Sequence, residues 1–252
     1  MKIAIIGAGA MGGAIVEGLL KGSYVANDNL IVSDCSEERL QYFSEKGARV
    51  TKDNAQAAAE ADVVVVVVKP WLVEQVLKGI DTANKTVVLV AAGITSEQLQ
   101  SWTSPDADLW LAIPNIAASE LASMTFLVQV RQKGAYHPKA LFDAIGETIM
   151  TDEKHLAAGT TLASCGIAYA LRYIRAASEG GVELGFKADD AKQIVMQTVL
   201  GAVKLLETSG KHPEQLIDQV TTPGGVTIKG LNEMEHAGFT SSVIRGLKAG
   251  AK

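Results

Sequence analysis

Residues Lys2 to Gly12 read KIAIIGAGAMG, and this stretch decides the fold. The apolar run Lys2-Ile-Ala-Ile-Ile6 is followed at once by Gly7-Ala-Gly9-Ala-Met-Gly12, and Met11 to Lys21 then carries apolar residues at helical spacing. Strand, glycine-rich turn and helix in that order open a dinucleotide-binding fold. The three glycines serve different ends. Gly7 permits the tight turn, Gly9 lets the backbone approach a pyrophosphate, and Gly12 lets helix and strand pack closely. Ala10 and Met11 complete the loop, and the N–H groups that open the helix favour phosphate. Asp34 lies 22 residues beyond Gly12, at the end of the second apolar run, Asn29 to Ser33. A carboxylate there accepts hydrogen bonds from ribose hydroxyls and repels a 2′-phosphate, which leans the cofactor toward NADH over NADPH. Ser33, Ser36 and Arg39 are close enough in sequence to take a phosphate were Asp34 turned away.

Outward from this loop, strand-like and helix-like segments alternate. Val63 to Val68 is an unbroken run of six valines ended by Lys69-Pro70, as in a strand buried on both faces of a parallel sheet. Thr86 to Val90, Asp108 to Ile113 and Met124 to Val130 supply further runs. After about Thr151 no such run recurs. Ile167, Leu171, Ile174 and Ala177 form one helical stripe, and Ile194, Val195, Thr198, Val199, Ala202, Leu205 and Leu206 form another. The sequence predicts an α/β Rossmann-type parallel-sheet domain over residues 1–150 and an all-α domain over 151–252.

Composition narrows the function. The 252 residues carry a net charge of −5 with pI ≈ 5.4 and no basic run, which argues against a nucleic-acid partner. No apolar stretch approaches the ~20 residues that span a bilayer, and the N-terminus reads as a strand rather than a signal peptide. Cys35 and Cys165 form no disulfide framework, and the four histidines lack ligand spacing, so a cytoplasmic, metal-free protein is expected. The composition is rich in small residues, with 24 Gly and 35 Ala against 13 aromatics. Of the glycines, 13 fall after residue 150, several within predicted helices, where each costs up to about 1 kcal/mol against Ala. That cost points to close helix–helix approach.

A second loop carries the remaining chemistry. Thr222-Pro-Gly-Gly225, followed by Val226 and Thr227, sits just before a predicted helix. Its backbone N–H groups form a nest for a small anion such as a carboxylate, with the Thr222 and Thr227 hydroxyls at the rim. A plain helix start would show the same pattern, so the loop by itself leaves both readings open.

The chain resembles the pyrroline-5-carboxylate reductase family along nearly its whole length. The matching stretches are IIGAGAMGGAIVEGLL, VVVVKP, AAGI at 91–94, IPN at 113–115, GIAYALRYIRAASEGGVELG and QTVLGAVKLLETSGKHPEQLIDQVTTPGGVTIKGLN. The resemblance implies hydride transfer from NADH or NADPH to the cyclic imine 1-pyrroline-5-carboxylate, giving L-proline. It further implies a helical domain that builds a homodimer or a ring of dimers. On this resemblance Thr222, Gly224, Gly225, Val226 and Thr227 bind the substrate, with Thr227 near the ring nitrogen as a proton relay. Asn54, Val68, Lys69, Pro70, Ala91 and Gly93 line the cofactor, and Asn115 sits near the nicotinamide. Leu111, Ile116 and Ile167 stand where the family usually has an arginine, a threonine and a proline. Two alternatives remain: a β-hydroxyacid dehydrogenase, disfavoured because Leu162 to Leu184 lacks the required lysine, and a non-catalytic NAD(P) sensor.

Overall fold

The structure, a computed structural model, describes residues 1–251 and divides into two compact units, Met1–Ser164 and the residues from Cys165 onward. In the first unit, eight strands form one sheet in the order β3-β2-β1-β4-β5-β6-β7-β8. They are β1 (Ile3–Ile6), β2 (Leu30–Ser33), β3 (Arg49–Thr51), β4 (Val63–Val66), β5 (Thr86–Leu89), β6 (Asp108–Ile113), β7 (Ser123–Arg131) and β8 (Gly146–Met150). All neighbouring pairs are parallel except β6 and β7, which run antiparallel. The sheet is thus Rossmann-like and mostly parallel.

The valine run alternates between the two faces of this sheet. Val63 and Val65, with Ile3 and Ile5, pack against Ile15, Val16 and Leu19 of helix α1 (Ala10–Lys21). Val64 and Val66, with Ala4 and Ile6, pack against Ala57 and Ala58 of α3 (Asn54–Glu60) and against Val73 and Leu77 of α4 (Val73–Lys78). Between α1 and α3 lies α2 (Glu37–Glu45), capped by Ser36, whose hydroxyl accepts from Arg39 N. Helices α5 (Ser96–Ser101), α6 (Lys139–Asp143) and α7 (Leu156–Gly159) complete the unit.

Three expectations about the strands are corrected. β4 stops at Val66, because Val67 and Val68 leave the ladder to meet the glycine loop. β3 and β8 form strands although neither is an apolar run, because edge strands are solvated on part of their surface. β7 reverses direction, because the Pro114–Ala122 link holds only a 3₁₀ turn and is too short for a parallel crossover.

The second unit consists of α8 (Gly166–Glu183), α9 (Ala188–Ser209), α10 (Pro213–Val220), α11 (Val226–His236) and α12 (Phe239–Gly250). The breaks fall at the turn-like segments read from the sequence. The two long helices, α8 and α9, pack on each other through Gly181 and Ala191. A Cβ on Gly181 would lie 2.9 Å from the Ala191 methyl. Among the described residues of this unit only Ala191 is buried, while Leu171, Leu184, Ile194, Leu200 and Leu205 are exposed. No helix among the described residues is long and apolar enough to cross a membrane.

Candidate functional site

At the C-terminal ends of β1 and β4 the strand order reverses, and this is where open α/β sheets place ligands. A cleft of about 1150 Å³ opens there. Its floor is the glycine loop. Gly7 donates its N–H to Ser33 O at 2.8 Å and has φ +99°, a region that only glycine enters cheaply. A Cβ at Gly7 would lie 2.3 Å from Val67 O, and one at Gly12 would lie 1.9 Å from Gly7 O. Both glycines are therefore required by the protein itself. Gly9 differs: a Cβ there would meet nothing within 4 Å. Gly9 is also the N-cap of α1, with no side chain capping the first turn. The space above it is left for a ligand, as the approach of a pyrophosphate requires. On this observation the residues present fit a nicotinamide dinucleotide.

The walls bring together most of the residues singled out in the sequence. Gly7, Gly9, Ala10, Met11 and Gly12 line the floor; Asp34 and Asn54 line one side; Val68, Lys69, Pro70 and Ala91 line the other. Asn54 begins α3, and its Oδ1 accepts from the buried Ser33 hydroxyl at 2.7 Å. That bond fixes the amide plane and leaves the NH2 group for the cleft. Pro70 starts a 3₁₀ turn, where its fixed φ and missing N–H cost nothing.

Asp34 is anchored. Its Oδ2 accepts from Ala8 N at 2.6 Å and its Oδ1 from Ser36 N at 2.8 Å. Each oxygen keeps lone pairs for a ribose hydroxyl, but the carboxylate is held in place by the backbone on both sides. Ala8 is held a second time, since its carbonyl accepts from Arg39 Nε at 2.7 Å.

Two of the expected residues stand apart from the lining. Gly93 has φ +79° in the turn after β5, which accounts for a glycine there on backbone grounds. Asn115 is buried, with Oδ1 accepting from Ala117 N at 3.0 Å and Nδ2 donating to Ala163 O at 3.4 Å. The Ser164 hydroxyl donates to Pro114 O at 2.9 Å, so the Pro114–Asn115 loop is fastened twice to the π-helical turn Thr160–Cys165. Sequence reasoning missed Leu72, Gln75, Val76 and Gly79, which also line the cleft. Their spacing was a usable signal, since these four positions share one helical face after Pro70.

In the helical unit, Thr222 to Gly225 form a turn in which Gly225 N donates to Thr222 O at 2.9 Å. Gly224 has φ +72°, as the third position of a type II turn demands. Gly225 is the N-cap of α11 with no side-chain cap, and Val226 is 85% exposed. The first N–H groups of α11 thus open to an exposed loop flanked by the hydroxyls of Thr222 and Thr227.

Both halves of the chain have counterparts among known proteins. Residues 153–252 match the family model described as pyrroline-5-carboxylate reductase dimerisation, and residues 2–93 match one described as NADP oxidoreductase, coenzyme F420-dependent. Pyrroline-5-carboxylate reductase of Pisum sativum is 35% identical over 99% of this chain and 93% of its own length. The chain belongs to the pyrroline-5-carboxylate reductase family. Pyrroline-5-carboxylate reductase 1 of Dictyostelium discoideum is also 35% identical over 97% of this chain, which spans 48% of that longer relative. The fold is shared with a crystal structure of Plasmodium falciparum pyrroline carboxylate reductase with NADP bound, at a TM-score of 0.90 and 23% identity over 100% of this chain and 95% of that one. The family consists of NAD(P)-dependent oxidoreductases, and its dimerisation segment, matched from residue 153, contains the helical unit. Neither alternative activity raised by the sequence is favoured.

Proposed function

We propose that this protein reduces 1-pyrroline-5-carboxylate to L-proline with a nicotinamide dinucleotide as reductant. The observation that carries the reading is the uncapped start of α11 behind the Thr222–Gly225 turn, in a chain that also holds a dinucleotide cleft. A carboxylate is the natural occupant of such a turn, because N–H groups and the positive end of a helix converge on it without an arginine.

When bound, the reduced nicotinamide supplies a hydride to the carbon of the C=N bond. Protonation of the imine nitrogen beforehand makes that carbon electrophilic, and the nitrogen keeps its proton as the ring amine forms. The chain's own part is binding and orientation. Gly224, Gly225 and Val226 hold the substrate carboxylate through their backbone, with Thr222 beside them. Thr227 places its hydroxyl near the ring nitrogen, as a relay to solvent. Asn54, Val68, Lys69, Pro70 and Ala91 hold the cofactor above the glycine loop. The assignment of Gly93 to the cofactor lining and of Asn115 to the nicotinamide rests on the family resemblance. The anchored Asp34 carboxylate favours NADH, since it cannot swing away from a 2′-phosphate without giving up two backbone bonds. Helices α8 to α12 pair with those of a second copy, giving a homodimer or a ring of such dimers, in a cytoplasmic enzyme.

The test is to supply pyrroline-5-carboxylate with NADH or NADPH and follow oxidation of the nicotinamide. Absence of turnover with both, in folded protein, overturns the reading. Within it, Thr227→Ala is expected to lower kcat/KM roughly tenfold, in keeping with a lost hydrogen bond to a charged group, while cofactor affinity stays unchanged. Unaltered imine kinetics would remove Thr227 from the mechanism.

A further inference from the structure

We propose that Arg39 is a positioning residue for the dinucleotide: it holds the glycine loop through Ala8 and sets a fixed positive charge beside the first turn of α1. The inference rests on the reading of the cleft as a dinucleotide site. Its starting point is a glycine that the fingerprint does not require. Gly13 follows Gly12 on α1, does not line the cleft, and has an ordinary helical backbone. A Cβ at Gly13 would lie 2.2 Å from Arg39 Nη2 and 3.3 Å from Phe43 Cζ. The guanidinium occupies the space a side chain would fill.

Three contacts hold Arg39 in that space. Nε donates to Ala8 O at 2.7 Å, and the guanidinium carbon lies 5.1 Å from the Phe43 ring centroid and 5.5 Å from that of Tyr42. Among the described residues Arg39 makes no ion pair. Ala8, fully buried, is therefore gripped at its carbonyl by Arg39 and at its N–H by Asp34. The segment from the end of β2 into α2 thus fixes the residue between Gly7 and Gly9.

The placement of charge points the same way. A helix N-terminus repels a cation, and α1 has no acidic residue in its first turn to compensate. An unpaired, half-buried guanidinium beside that turn is unfavourable in the free protein, and a bound pyrophosphate relieves it. Arg39 acts through the loop and through its field, and the ribose 2′-position is not its target.

This separates it from an arginine that reads a 2′-phosphate, and the experiment uses the difference. ADP-ribose, which carries the pyrophosphate but no 2′-phosphate, is titrated calorimetrically into wild type, Arg39→Met, Arg39→Lys and Gly13→Ala, beside NADH and NADPH. Arg39→Met is expected to weaken ADP-ribose, NADH and NADPH by a common factor, roughly tenfold or more for the loss of a charged donor. The turnover number at saturating cofactor stays within about twofold, since only transition-state interactions move it. Gly13→Ala displaces the guanidinium from an intact Arg39 by a change that favours the helix. It is therefore expected to remain folded by circular dichroism, the helix gain offsetting part of the lost Arg39 contacts, and still to lose ADP-ribose affinity. Arg39→Lys keeps the charge without the Nε fork and recovers part of the loss, most at low salt. Wild-type ADP-ribose affinity in Arg39→Met and Gly13→Ala overturns the proposal, and so does a loss confined to NADPH. Failure of wild type itself to bind ADP-ribose falls on the dinucleotide reading and takes the proposal with it.

Discussion

The two units of the chain treat their apolar residues in opposite ways. In the α/β unit, β1, β4 and β5 are buried along their whole length, and helices cover both faces of the sheet. In the helical unit Leu171, Ile194, Leu200 and Leu205 lie on amphipathic helices yet remain exposed, and only Ala191 is buried among the described residues. The first unit supplies its own interior. The second leaves a large apolar surface uncovered, which agrees with its match to the family's dimerisation segment. A dimer joined through this unit would tie its stability to protein concentration in a way the sheet's would not be.

The largest effect that could break this contrast comes from a charge on the uncovered apolar surface of the helical unit. Leu200→Asp on α9 places a carboxylate where a partner should cover it. It is expected to abolish the dimer in analytical ultracentrifugation, to unfold much of the helical unit by circular dichroism, and to lower activity by on the order of a hundredfold or more. A folded, active monomer would show that the helices need no second copy. Next come two glycines of the self-contained unit. Gly12→Ala drives a Cβ into Gly7 O and is expected to cost about 1–3 kcal/mol in denaturant unfolding. Gly9→Ala has open space and should leave stability within about 0.5 kcal/mol, while weakening NADH by roughly tenfold or more in a binding titration. Equal stability losses in the two variants would mean that Gly9 answers to the fold rather than to a ligand. The smallest effect belongs to Asp34→Asn, which removes the charge and keeps one acceptor for Ala8 or Ser36. The ratio of kcat/KM with NADPH to that with NADH is expected to rise about fivefold, since a formal repulsion is lost while the loop is only loosened.

Much of this contrast was legible in the sequence. Short apolar runs bounded by polar or glycine-rich sequence mark buried strands, so β1, β2, β4, β5, β6 and β7 could be read directly. The edges could not. Arg49–Thr51 and Gly146–Met150 take their conformation from the neighbour they pair with, and a half-solvated edge leaves little pattern in its composition. The reversal at β7 had a signal in the shortness of the stretch from Pro114 to Ala122, because a parallel return needs a longer connection. The glycine loop was readable because its geometry is local. The grip on Ala8 joins residues 26 and 31 positions apart, and no local pattern announces such a bond. The same is true of Asn115, whose amide serves backbone groups at Ala117 and Ala163. Gly13 was in plain view, but its meaning depended on where Arg39 would lie.

The contact between α8 and α9 has a consequence for how these long helices keep their alignment. One methyl group, on Ala191, rests where Gly181 offers only a hydrogen. A slide of α8 that brought Val182 to this contact would set a side chain against the Ala191 methyl, and a slide of α9 that brought Lys192 to Gly181 would do the same to the α8 backbone. A single missing carbon therefore serves as the detent of the pair, setting helix register by a shape that no charge, hydrogen bond or salt concentration can loosen.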